Sequence, residues 1–376
     1  MKKSYIISGV VVVVLIVVII LISGKAPSSN GPIKLGVLYP LTGDAVSFGD
    51  PIKKGVELAV KEINDQGGIN GRLLEPIYED SKCEPKTGVS GATKLINIDK
   101  VSFIIGDICS AVVIPIAPIA EQNKVVVMAQ GSSPDITTIG DYIFRNWPSD
   151  SYQGELISGF AINKLNLKKF AILSEDQAYS SGLAKAFKEG VLGSGGEIIA
   201  EESFKTSDKD YRTQLTKIKN TKPDAIYLSS SVYFGLIAKQ MKDLGINAQI
   251  IGGDGLGTDQ SLKDAAGSLE GAYYAFPYFD ENSKETQDFQ NKFSTMFGEK
   301  SAIVNVSAHG YDAVYLLSLA LKSCSEDFTS TCVKNEIYKI KDFPGVSGKT
   351  TFDQNGDVEK PYAIYKITDG KPVEVK

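Results

Sequence analysis

This chain of 376 residues contains one histidine, one tryptophan, four methionines and four cysteines. Each scarcity removes a class of chemistry. A zinc centre usually needs several His or Cys ligands at short spacing, and no Cys-x-x-Cys pair begins one. The lone His309 falls in an apparent helix, "VSAHGYDAV", so a hydrolytic serine has no other imidazole to use as base. No Gly-x-Ser-x-Gly nucleophile turn occurs. There is no Walker A sequence, and "GGDGLGT" lacks the third glycine of the dinucleotide fingerprint and follows a late strand. "DQNGD" (Asp353 to Asp357) resembles half a calcium loop, but Ala363 and Ile364 come where the closing glutamate would be needed; a β-turn is the better reading. The net charge is −5, without the Lys/Arg clusters of a nucleic-acid surface. No cofactor, no metal, no nucleic-acid partner and no catalytic residue is expected.

One long apolar run is present. Lys2 and Lys3 precede about eighteen apolar residues between Tyr5 and Ile22, enough for a helix to cross a bilayer. The run is long for a cleavable signal peptide. Two readings stand: a retained membrane anchor over residues 1–25, or a removed signal. Both deliver the rest of the chain outside the cytoplasm, at the cell surface, in the periplasm or secreted. Residues 26–32 are small, polar and broken by Pro and Gly, which suits a tether.

Outside the cytoplasm, four cysteines imply disulfides. Three pairings are possible. Cys324 and Cys332 flank a polar stretch and can staple a loop, which leaves Cys83 with Cys109. The body then alternates β-branched runs with amphipathic helices. Strands are expected at Ile33–Tyr39, Leu74–Tyr78, Ser102–Ile105 and Val125–Ala129. Asp50 reads as an N-cap with Pro51 at the first helical position. The pattern restarts with strands at Phe170–Leu173, Glu197–Ser203, Ala225–Leu228 and Gln249–Ile251. Alternating β and α segments call for α/β architecture with parallel, doubly wound sheets. Two such units put a cleft between them.

The opening "IKLGVLYPLTGDAVSFGDPIKKGVELAVKEINDQGGINGRLL" resembles that of type I periplasmic-type solute-binding proteins, in the branched-chain amino acid (Leu/Ile/Val) branch. "YEDSKCEPKTG", "FIIGDICSAVV", "MAQGSSPDIT", "FRNWPSDSYQG" and "TFDQNGDVEKPYAIYKI" are similar to further segments of that family. The resemblance spans Ile33 to Val373. It implies two Rossmann-like lobes joined by three crossover segments: lobe one at 33–149 plus 278–345, lobe two at 150–277 plus 346–376. It also supports Cys83–Cys109. The implied role is capture of an amino acid or similar small zwitterion for an ABC permease in the membrane. The alternative is a sensor acting through a separate signalling partner.

The same resemblance implies a site. A ligand carboxylate needs hydroxyls and backbone N–H donors. Ser110 and Ser132 match such hydroxyls, with Gln130 and Gly131 as backbone neighbours. An ammonium needs an anion, and Asp254 matches the acidic partner, where the branched-chain proteins usually have glutamate. Tyr179, Phe48 and Tyr311 match aromatic walls, Tyr311 being equally readable as a core residue of its helix. Asp150, at a lobe crossing, is either a second carboxylate near the amine or an N-cap. Ser231 stands near a position where the family has tyrosine, and Tyr233 could supply that ring.

Overall fold

The computed structural model describes residues 31–324 and 328–376. The expected anchor at 1–25, and most of the 26–32 tether, lie outside these residues. Among the described residues, no helix is long and apolar enough to cross a membrane.

The first lobe runs β1 (Ile33–Tyr39), α1 (Val46–Asp65), β2 (Leu74–Asp80), α2 (Pro85–Asn97), β3 (Phe103–Ile105), α3 (Ser110–Gln122), β4 (Val126–Ala129) and β5 (Ile143–Arg145). Its strands form a parallel sheet in the order β2-β1-β3-β4-β5. The second lobe continues with α4 (Asp150–Asn163), β6 (Lys169–Glu175), α5 (Ala178–Gly193), β7 (Glu197–Phe204), α6 (Arg212–Thr221), β8 (Ala225–Ser229), α7 (Phe234–Asp243), β9 (Gln249–Gly252), α8 (Asp259–Ala265) and β10 (Tyr273–Pro277). Its parallel strands follow the same order, β7-β6-β8-β9-β10. The chain then returns to lobe one with α9 (Lys284–Phe297), α10 (Val304–Ser323), α11 (Ser330–Ile337) and the hairpin β11 (Phe343–Gly345)–β12 (Gly348–Thr350). It ends in lobe two, where β13 (Tyr362–Thr368) pairs antiparallel with β10, and β14 (Lys371–Glu374) pairs with β13.

The central strands of each sheet, such as β1, β4 and β8, are buried on both faces, which explains their nearly continuous apolar runs. In lobe one, α1 and α10 cover one face with Ile52, Val56, Val314 and Leu317. α2 and α3 cover the other with Leu95, Val112 and Ile116. In lobe two, α6 and α7 pack Leu215, Ile218 and Ile237 on one face, and α4 and α5 pack Ile157, Leu183 and Phe187 on the other. Both disulfides are closed, Cys83–Cys109 and Cys324–Cys332.

Two sequence expectations need correction. α1 begins one turn before Asp50, so Asp50 is not its cap and Pro51 lies inside the helix. The missing Pro51 amide costs one hydrogen bond close to the helix start, and the Asp50 carboxylate instead pairs with Lys54 one turn on, at 2.9 Å. The expected lobe-two segment 346–376 also differs: Phe352 and Val358 are buried in the lobe-one core. The last crossing therefore comes after Val358. The alternation of strands and helices could not show this, because a short irregular segment carries no period.

The three crossings meet at the N-terminal half of α10. Asn146 Nδ2 donates to the His309 carbonyl at 2.9 Å, and Asn305 Nδ2 donates to the Pro277 carbonyl at 3.1 Å. Asp312 accepts from the Ser347 amide at 2.7 Å, and Lys360 Nζ donates to Ser347 Oγ at 2.6 Å.

Candidate ligand-binding cleft

Strands of a doubly wound sheet present the loops at their carboxyl ends to ligands. In both lobes these loops face one cavity of about 500 Å³. From lobe one, Ser110 stands at the first position of α3, directly after the loop that follows β3. Its Oγ accepts the Ser133 amide at 3.1 Å. The acceptor side is thus occupied and the hydroxyl hydrogen remains for an incoming anion. The Ser110 and Ala111 amides that open α3 have no acceptor among the described residues, and the helix dipole favours negative charge there. Ser132 follows β4. Among the described residues its amide has no acceptor, and its carbonyl takes the Asp150 amide at 2.9 Å. Arg145 fixes this loop from behind: Nη1 donates to the Ser133 carbonyl at 2.7 Å, while Nε donates to Asp357 at 3.0 Å. Asp357 closes the "DQNGD" turn, whose Asp353 Oδ1 accepts the amides of Asn355 and Asp357 at 2.8 and 2.9 Å.

Lobe two offers the opposite charge. Asp254 follows β9 at the start of a short 3₁₀ turn, half-buried in the cleft wall. The Tyr179 hydroxyl, from the first turn of α5, donates to Asp254 Oδ1. Burial raises the Asp254 carboxyl above its usual range, and the Tyr179 hydrogen bond holds it partly down. Asp150 lies behind the cleft wall, fully buried, and neither of its oxygens has a hydrogen-bond partner among the described residues. Burial, and then the nearby Asp254 charge, push its carboxyl well above the usual range. The cap of α4 is Ser149, whose Oγ accepts the Ser151 amide at 3.3 Å. Asp150 is the first helical residue and not the cap. The pattern is one wall of hydroxyl and amide donors facing one wall of buried acid.

A profile described as "Periplasmic binding protein" matches residues 32–372. The chain belongs to the periplasmic binding protein family. It is similar to the Leu/Ile/Val-binding protein BraC3 of Rhizobium johnstonii, at 31% identity over 93% of this chain and 95% of that protein. The leucine-, isoleucine-, valine-, threonine- and alanine-binding protein of Pseudomonas aeruginosa is 28% identical over 92% of each chain. Among solved structures, the leucine-binding protein LivK of Thermotoga maritima superposes with a TM-score of 0.83 at 27% identity, over 92% of this chain and 98% of that one. The isoleucine complex of LivJ from Streptococcus pneumoniae gives 0.77 at 30% identity, over 92% and 100%. The two-lobed α/β fold and a solute-binding role in ABC transport are those of this periplasmic binding protein family, and the family works outside the cytoplasm.

Of the residues singled out from sequence, Phe48, Ser110, Gln130, Ser132, Tyr179 and Asp254 line the cleft together. Gln130 and Gly131 do not offer the backbone donors expected of them, because both amides donate to the Asp107 carbonyl, at 3.0 and 3.1 Å. The Gln130 side chain is also committed: it accepts from the Tyr39 hydroxyl at 2.5 Å and donates to Asn146 Oδ1 at 2.8 Å. Tyr311 is no cleft wall. Its hydroxyl donates to Glu62 at 2.6 Å and its ring packs edge-on to Phe289, within the interface of α10 and α1. Helical spacing placed it in a core helix but could not say which side faces the ligand. Both Ser231 and Tyr233 line the cleft.

Sequence reasoning missed Trp147 and Glu175. Trp147, on the first crossing, meets Phe276 at 6.1 Å and His309 at 4.5 Å between ring centroids. The His309 imidazole is buried and held neutral, its pKa pushed well down by burial and by the Lys360 charge. Glu175 ends β6, and the rule that ligands gather at strand carboxyl ends was signal enough to find it.

Proposed function

We propose that this protein captures an amino acid, or a similar small zwitterion, between its lobes and presents it to an ABC permease. The observation that carries the reading is the opposed polarity of the cleft. Ser110, the Ser132 amide and the start of α3 suit a carboxylate; Asp254 with Tyr179 suits an ammonium on the adjacent atom. Phe48 lines the cleft from lobe one, and Asp150 lies behind the wall, where burial favours its protonated form. Ligand contacts to both lobes favour a closed state over an open one, which is capture by hinge motion. Nothing is transformed in the cleft. The apolar run near the N-terminus exports the protein and, if retained, holds it beside its permease, where tethering raises the effective concentration.

A thermal-shift screen of amino acids identifies the ligand. Calorimetry on Asp254→Asn then tests the site. A desolvated ammonium that loses its counter-charge weakens binding by more than about 1 kcal/mol. Unchanged affinity in that variant rejects the ammonium role.

A further inference from the structure

The lobe-two end of the cleft contains a carboxylate that the zwitterion reading leaves unused. Glu175 is 1% exposed and lines the cavity with Thr206 and Ser231. Its Oε1 accepts the Thr206 hydroxyl at 2.8 Å. Its Oε2 accepts the Ser231 amide at 2.8 Å, the Ser231 hydroxyl at 2.7 Å and the Ser230 hydroxyl at 3.3 Å. A hydroxyl has a single hydrogen. Thr206 and Ser231 both spend theirs on Glu175, so each has only lone pairs left for the cleft. Oε1 has one partner and room for a second, whereas Oε2 is full.

Among the described residues no side chain other than Thr206 donates to Glu175 Oε1. Gln177 caps α5: its Oε1 accepts the Tyr179 amide at 3.0 Å and one of its two Nε2 hydrogens goes to Ser180 at 2.9 Å. The Lys209 ammonium lies over the Tyr233 ring, 4.1 Å from its centroid. The side chains Glu175, Thr206 and Ser231 therefore form a patch of acceptors that carries negative charge. Ile108, Trp147, Val232 and Phe276 add apolar wall to the same cavity. Apolar wall together with acceptors suits a side chain with an apolar stem and a donor at its tip.

We infer that Glu175, Thr206 and Ser231 form the subsite for the far end of the ligand. They select an amino acid whose side chain ends in N–H donors, an ammonium, a guanidinium or a primary amide. This rests on the zwitterion reading of the same cleft. A branched aliphatic end would strip water from these acceptors and return no hydrogen bond, and sites built for a donor strongly reject analogues that lack it.

The test is calorimetric titration of the wild-type exported domain with lysine, arginine, glutamine, norleucine and leucine. Lysine and norleucine share a chain and differ in the terminal amine. At least one of the three donor-tipped amino acids is expected to bind tenfold or more tightly than norleucine and leucine. Thr206→Val, nearly isosteric, removes one of these acceptors and should cut that preference at least threefold. Leucine or norleucine matching every donor-tipped ligand overturns the subsite while leaving the zwitterion reading intact. Failure of all five to bind overturns both.

Discussion

At the scale of single residues, the cleft is defined by which lone pairs and hydrogens are already spent. Ser110 accepts a hydrogen bond and so remains a donor; Thr206 and Ser231 donate and so remain acceptors. The same residue type takes opposite roles through its partner. Asp107 supports the donor side. Its carbonyl holds the Gln130 and Gly131 amides, its Oδ1 accepts the Cys109 amide at 2.8 Å, and its Oδ2 is unpartnered among the described residues. Burial pushes its carboxyl up to about 7, against roughly 3.9 in an unfolded chain. The folded state then binds the proton more tightly. The stability this adds is complete below about pH 4 and is lost as pH rises toward about 7. Asp150, Asp254 and Asp312 are shifted the same way. Asp107→Asn removes one of these groups, so its denaturation midpoint should fall less steeply than that of wild type between pH 4 and 7. Parallel pH profiles for the two proteins would show that Asp107 is ionised throughout.

At the scale of elements, α1 and α10 set the lobe-one framework. A Cβ on Gly55 would lie 2.0 Å from the Ser307 carbonyl oxygen, and one on Gly310 would lie 2.4 Å from that of Ile52. The helices touch backbone to backbone at these two points. Gly55→Val forces them apart and should destabilise the protein by about 2–3 kcal/mol, measured by urea denaturation; a loss under about 0.5 kcal/mol would mean the helices pack farther apart. Elements were also what the sequence made legible. Long apolar runs and helical spacing located the principal strands and helices of both lobes. The strands β5 ("IFR") and β10 ("YYAFP") escaped, because neither is a run of β-branched residues like those that marked β3, β4 and β9. Ser110, Ser132 and Asp254 were singled out through the family resemblance, at positions that follow strands. Tyr311 was not, since α10 is buried nearly all round and spacing does not tell one covered face from another. Glu175 was overlooked because the expected strand stops at Leu173, whereas the observed one runs on to Glu175.

At the scale of the whole molecule, two sheets of the same strand order are linked by three crossings that converge on one helix, and the cleft opens between them. Where the lobes approach, Gly182 of α5 lies against the Ser133 loop: a Cβ there would sit 3.0 Å from Ser133 Oγ and 3.5 Å from Pro134. Gly182→Val should therefore prop the lobes apart and weaken ligand binding without touching any cleft-lining residue. Small-angle scattering of the wild-type exported domain, alone and saturated with the amino acid found by the screen, tests capture by closure most directly. The account predicts a smaller radius of gyration with ligand, one ligand per chain, and no such compaction in Gly182→Val. Saturable binding with an unchanged scattering profile in the wild type would contradict it.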